Sequence, residues 1–196
     1  MSRQIVVARY NEDIEWTKNL ENVLIYNKGE TLSNEYNVIN LENVGREGHT
    51  YATHIYNNYD NLADYTVFLQ GNPFDHSPDL FEKLSRENKT QFLSSKIYLS
   101  NLSGIPPYNY RGKKYLVDSY CKELNIQETY FRLFNRNDES YFTFGAGAQF
   151  IVSRENIQEN SKEMYKKIID MLSVNINPFP EGFAIERLWG IILTID

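Results

Sequence analysis

The chain of 196 residues has a single cysteine, Cys121, so it can form no internal disulfide, and a reducing, cytoplasmic setting is the expectation. It has only three histidines, His49, His54 and His76. His49 and His54 lie five apart and so do not share a helical face as a zinc pair would. No apolar run approaches the roughly 20 residues that cross a bilayer. "MSRQ" leads straight into the strand-like "IVVAR", which leaves no room for a signal peptide. The formal charge of −6 and the absence of a basic stripe exclude a nucleic-acid phosphate footprint. The short clusters Arg111-Gly112-Lys113-Lys114 and Lys166-Lys167 read as solvated faces, or one of them as a neighbour of a phosphorylated small molecule. No Walker loop, GxGxxG or GxSxG motif occurs, and there is no repeat, low-complexity tract or linker. The sequons at Asn88 and Asn101 read as chance in an Asn-rich chain, and no feature points to a protein partner.

What is abundant is aromatic: 14% of the chain, with 15 Tyr and 11 Phe, enough to fill a core or to line a groove. Apolar runs rich in β-branched and aromatic residues alternate with helical patterns. Residues 4–9, 22–27, 36–41 and 65–70 read as strands. So do "KIYLSN", "TYFRLF" and "AQFIVS". Tyr51, Ile55 and Tyr59, with Ala52, recur at helical spacing. "NEDIEWTKNL" suits a short helix behind an Asn or Asp cap, and "SPDLFEKLSREN" one capped by Ser77 with Pro78 in its first turn. "KKYLVDSYCKEL" reads as a helix holding a buried Cys121, and Ser153 as the cap of a long helix reaching about Leu172. The apolar 183–195 stretch reads as a buried helix after the rigid loop "NPFPEG". This order predicts one α/β domain over 1–196, Rossmann-like, with a mainly parallel mixed sheet flanked by helices.

Ligands of such sheets bind beyond the carboxyl ends of strands, which directs attention to loops 10–13, 42–49 and 70–76. In "ARYNED", Asn11, Glu12 and Asp13 serve a helix start or a ligand rim. In "NVGREGHTY", Gly45 and Gly48 permit close backbone approach or positive φ, Arg46 offers a fork for phosphate, and free helix amides follow, which makes either a structural turn or an anion site. In "QGNPFDHSPD" the strand ends in Gln70, Asn72, Asp75 and His76. The last two suit Mn²⁺ or Zn²⁺ if the loop curls, and otherwise form a cap and a hydrogen-bonded histidine. The glycines of "FTFGAGAQFIVS" admit a bulge or a flat ligand. Glu181 and Glu186, the latter beside Arg187 in an apolar helix, make either an internal ion pair or a carboxylate tuned as a general base.

"VVARYNED", "YNKG", "GREGHTY" and "VFLQGNPFDH" together resemble a domain family of unknown function, mainly fungal with relatives in large DNA viruses. "GAGAQFIVSR" and "EGFAIERLW" resemble the closing half of GT-A-type glycosyltransferases. The resemblance implies a GT-A-like fold and transfer of a sugar from a nucleotide-diphosphate donor to a glycan or other hydroxyl acceptor. Arg9, Asn11 and Arg46, with His49, Gln70 and Asn72, would then hold the donor. Glu181 or Glu186 would be the base, and Asp75 with His76 would stand where such enzymes bind Mn²⁺ or Mg²⁺. The chain departs from that family in having no Asp-x-Asp. Two other classes stay open: a metal-dependent hydrolase using Asp75 and His76, and a non-catalytic nucleotide- or carbohydrate-binding module.

Overall fold

A computed structural model describes residues 1–102, 108–110, 113–115, 124–174 and 180–196. Its centre is a six-stranded sheet. Four parallel strands, β1 (Arg3–Arg9), β2 (Val23–Asn27), β3 (Val38–Asn40) and β4 (Tyr65–Gln70), stand in the order β3-β2-β1-β4. The sheet continues beyond β4 with β10 (Phe150–Ser153), antiparallel to it, and then β5 (Gln91–Phe92), antiparallel to β10.

Side chains alternate across the pleat, so one strand feeds two cores. Val6, Leu24, Phe68 and Phe150 face a large core completed by helices α1 (Arg46–Asn58), α5 (Lys162–Leu172) and α6 (Glu181–Ile192). Ile5, Val7, Ile25, Val67 and Ile151 face a smaller one, closed by Ile14, Leu93 and the short α2 (Leu80–Ser85). Burial on both faces explains why these strands are nearly continuous apolar runs. A satellite ribbon, β6 (Lys96–Ser100) with β9 (Tyr141–Gly145), packs on α6, and a second pairs β7 (Tyr108–Tyr110) with β8 (Lys113–Tyr115).

Several expectations need correction. "TYFRLF" is not a strand but the end of helix α3 (Ile126–Phe134). Its aromatic composition suggested a sheet, yet Asn125 caps the Glu128 amide, and Ile126, Thr129, Tyr130 and Leu133 are buried at helical spacing. The segment after Ser153 is two helices, α4 (Arg154–Gln158) and α5, because Ser161 starts the second. Ser153 does accept the Asn156 amide as its cap. Asp79 rather than Ser77 precedes α2, since the Ser77 hydroxyl donates to the Leu93 carbonyl. Only a 3₁₀ turn, Glu15–Thr17, forms in the first crossover. Residues 113–115, expected to open a helix, are a strand, and the remainder of that expected helix up to residue 123, Cys121 included, lies outside the described residues. Asn101 is buried: it donates to the Asp138 carbonyl and accepts from the Ser140 amide. No helix among the described residues is long and apolar enough to cross a membrane.

Candidate functional site

From β1 the chain moves to β2 and β3 on one side, then crosses through α1 to β4 on the other. The loops after β1 and β4 therefore leave in opposite directions, and the crevice between them is the switch point where open α/β sheets bind ligands. A cleft of about 660 Å³ lies there. Arg9 and Glu12 enter from the β1 end, Lys28 from the β2 end, Arg46, Glu47 and Thr50 from α1, and Gln70, Asn72 and Asp75 from the β4 end.

Arg9 is largely a structural clasp. It is 8% exposed, and its guanidinium donates to the carbonyls of Tyr10, Glu12 and Glu30 and to Asn27 Oδ1 at 2.6–3.0 Å. Asn11 is likewise spent on the scaffold, its Oδ1 accepting from the Glu30 amide at 2.8 Å, and it does not line the cleft. The two loops touch so closely that a Cβ on Gly29 would sit 1.8 Å from the Tyr10 carbonyl oxygen.

The α1 end opens with two left-handed residues, Gly45 at φ 63° and Arg46 at φ 53°. Gly45 is required there, since a Cβ would lie 2.7 Å from the Leu172 carbonyl oxygen. Its missing side chain leaves the first helical amides without a side-chain cap. Lys28 reaches this turn and donates to the Val44 and Arg46 carbonyls, both at 2.6 Å. Burial pushes its pKa down to about 8, with the Glu47 carboxylate opposing. Arg46 lies 5.1 Å over the Phe183 ring and 3.7 Å from Glu47. His49 is buried behind the turn and off the cleft wall, and burial, aided by the Lys28 charge, lowers its pKa to about 4.

At the β4 end, Asp75 is exposed and accepts from Asn72 Nδ2 at 3.3 Å. His76 turns away from the cleft to the β9–β10 turn, where a Cβ on Gly147 would meet its Cδ2 at 2.4 Å. Gln149, fully buried, donates to the Pro73 carbonyl and holds the same loop from below. The two residues expected to share an ion thus diverge. Among the described residues no three His, Cys, Asp or Glu side chains are grouped to hold a metal, and of the expected pair only Asp75 stays on the cleft wall.

Neither expected base reaches the cleft wall. Glu181 pairs with Arg132 at 3.4 Å. Glu186 accepts the Gly147 amide at 2.8 Å and lies 3.7 Å from Arg187. Burial raises its pKa, the Glu47 charge raises it further, and Arg187 opposes. Lys28, Glu47 and Thr50 were not singled out from the sequence. Lys28-Gly29 has the composition of a turn, and Glu47 and Thr50 stand in the "GREGHTY" segment, where Gly45, Gly48 and Arg46 carry the stronger signal. The carboxyl-end rule applied to β2 would have found Lys28.

The profile of DUF3431, described as a protein of unknown function, matches residues 5–196, and the chain belongs to that family. No curated protein and no solved structure matches it significantly.

Proposed function

We propose that this DUF3431 member is a glycosyltransferase of GT-A-like fold that takes a nucleotide-diphosphate sugar into the switch-point cleft and passes the sugar to a hydroxyl acceptor. The observation that carries this reading is the mixed lining of the cleft. Arg9, Lys28 and Arg46 contribute cationic groups and Glu12, Glu47 and Asp75 carboxylates, within a volume of about 660 Å³. A ligand with an anionic half and a polyhydroxyl half suits such walls: cations meet the diphosphate and carboxylates accept from sugar hydroxyls. Asp75, exposed on the rim, takes the role of base. The acceptor oxygen bonds to the anomeric carbon, the bond from that carbon to the diphosphate breaks, and the hydroxyl proton passes to Asp75. The nucleoside diphosphate leaves with the bonding pair.

The test is melting of the chain against UDP-, GDP- and dTDP-sugars, followed by a transfer assay on an acceptor panel. A ligand at about 100 times its Kd adds roughly 2.7 kcal/mol, a shift of several degrees. Asp75→Asn is expected to keep that shift and lose turnover. A shift without turnover in the wild-type chain would favour the binding-module reading, to which the divergence of Asp75 and His76 lends weight. Absence of any shift across the panel would remove the transferase reading.

A further inference from the structure

We propose that Lys28, the Thr50 hydroxyl and the uncapped N-terminus of α1 form a phosphate subsite that binds the diphosphate without a metal ion. The inference rests on the transferase reading for its choice of ligand, and it locates that ligand's charge on the α1 wall rather than at Asp75 and His76.

The first observation is the geometry of Lys28. An ammonium has three donors. Two are used by the Val44 and Arg46 carbonyls, which fixes Nζ at the mouth of the helix, on the cleft wall. Both acceptors are neutral, and among the described residues no carboxylate oxygen lies within 4.0 Å of Nζ. Its charge is therefore desolvated without a close counter-ion, a cost visible in a pKa lowered to about 8. A phosphate oxygen on the third donor would relieve that cost.

The second observation is independent of the first. Thr50 lines the cleft, is 0% exposed, and its Oγ1 has no hydrogen-bond partner. A buried threonine inside a helix can satisfy its hydroxyl on the carbonyl three or four residues back, here that of Glu47 or Arg46. This one does not, while Lys28 takes the Arg46 carbonyl instead. Lys28 thus occupies a first-turn carbonyl that Thr50 leaves alone, both residues line the cleft, and each keeps a donor free. A buried hydroxyl without a partner is a costly arrangement to keep in a folded chain, and an anion bound at the helix N-terminus would satisfy it. Gly45 and Arg46, both left-handed, open the backbone there, with no side-chain cap in the way.

Titration calorimetry of the full chain with inorganic pyrophosphate in EDTA, and again with Mn²⁺, tests this. Pyrophosphate is expected to bind in EDTA. Thr50→Val, which keeps the shape and deletes only the idle hydroxyl, is expected to weaken it about tenfold, and Lys28→Met tenfold or more. The unliganded Thr50→Val chain should melt no lower than wild type. This variant keeps the test valid if Lys28→Met, which also loses two tethers, folds poorly. Binding seen only with Mn²⁺, unchanged affinity in Thr50→Val, or no pyrophosphate binding at all would overturn the subsite. The two readings fail separately. Sugar nucleotides that bind Thr50→Val as tightly as wild type sink the subsite alone. Pyrophosphate binding with an unresponsive sugar-nucleotide panel sinks the transferase alone.

Discussion

The backbone amide of Gly147 donates to Glu186 Oε1 at 2.8 Å, and through this bond helix α6 holds the turn on which His76 rests. The carboxylate is a brace. Glu186→Gln keeps an acceptor oxygen at the same place and is expected to leave both stability and turnover near wild type. Glu186→Ala orphans the amide and should cost about 1–3 kcal/mol in urea unfolding. Loss of turnover in a fully folded Glu186→Gln chain would return this residue to the chemistry.

Gly147 has φ 76°, and its Cα is covered by the His76 ring. Gly147→Ala therefore meets two penalties, a left-handed backbone and a contact with a movable side chain, together about 1–3 kcal/mol. His76→Ala removes only the second. The double variant should recover part of the loss, and a double-mutant cycle measures how much. Full additivity would mean that the ring does not press on the turn.

Arg9 and Arg46 both line the cleft but should behave as opposites. Arg9 supports four oxygens of two loops, so Arg9→Met is expected to lose about 2–4 kcal/mol of stability. Arg46, with its side chain 40% exposed, should be silent in unfolding, within about 0.5 kcal/mol as Met, and weaken anion binding instead. Equal melting temperatures for the two variants would contradict the clasp.

Acid should unfold this protein through two histidines. His49 and His54 are buried, and burial lowers each pKa from 6.5 to about 4. The unfolded chain then binds more protons than the folded one between those values. Stability is full above pH 6.5 and falls as pH drops toward 4, by at most about 3 kcal/mol per histidine. In His54→Gln the slope across this window should be roughly halved. A stability flat from pH 7 to 4 would mean that the rings take up protons in the folded state as readily as in the unfolded chain.

Much of this was legible in the sequence where one physical signal dominates. Strands β1, β2 and β4 announce themselves because burial on both faces demands unbroken apolar runs. Gly45 and Arg46 marked a turn before a helix, which is where they stand. α3 was misread because Tyr130, Phe131 and Phe134 favour strands in isolation, whereas the Asn125 cap and the packing of Leu133 decide for a helix. The adjacency of Asp75 and His76 suggested a shared ligand, but a distant glycine at 147 supplies the flat surface that draws the imidazole away. Lys28 and Thr50 were missed for a related reason. They come together only on the cleft wall, where Lys28 reaches across to the Arg46 carbonyl in the first turn of the helix that carries Thr50, a relation that exists only once β2 and α1 are side by side.

The described side chains of the cleft wall come from residues 8–75, while much of what backs the turns carrying them comes late: Leu172 beneath Gly45, Phe183 beneath Arg46, Gly147 beneath His76 and Gln149 beneath Pro73. During synthesis, then, the described residues of the cleft wall leave the ribosome with their local tethers, Lys28 to Arg46 among them, well before the late residues that back the α1 turn and the β4 loop. The cleft is finished only when the last helix docks, and a chain truncated after β10 would carry the whole recognition surface without the shape that makes it one.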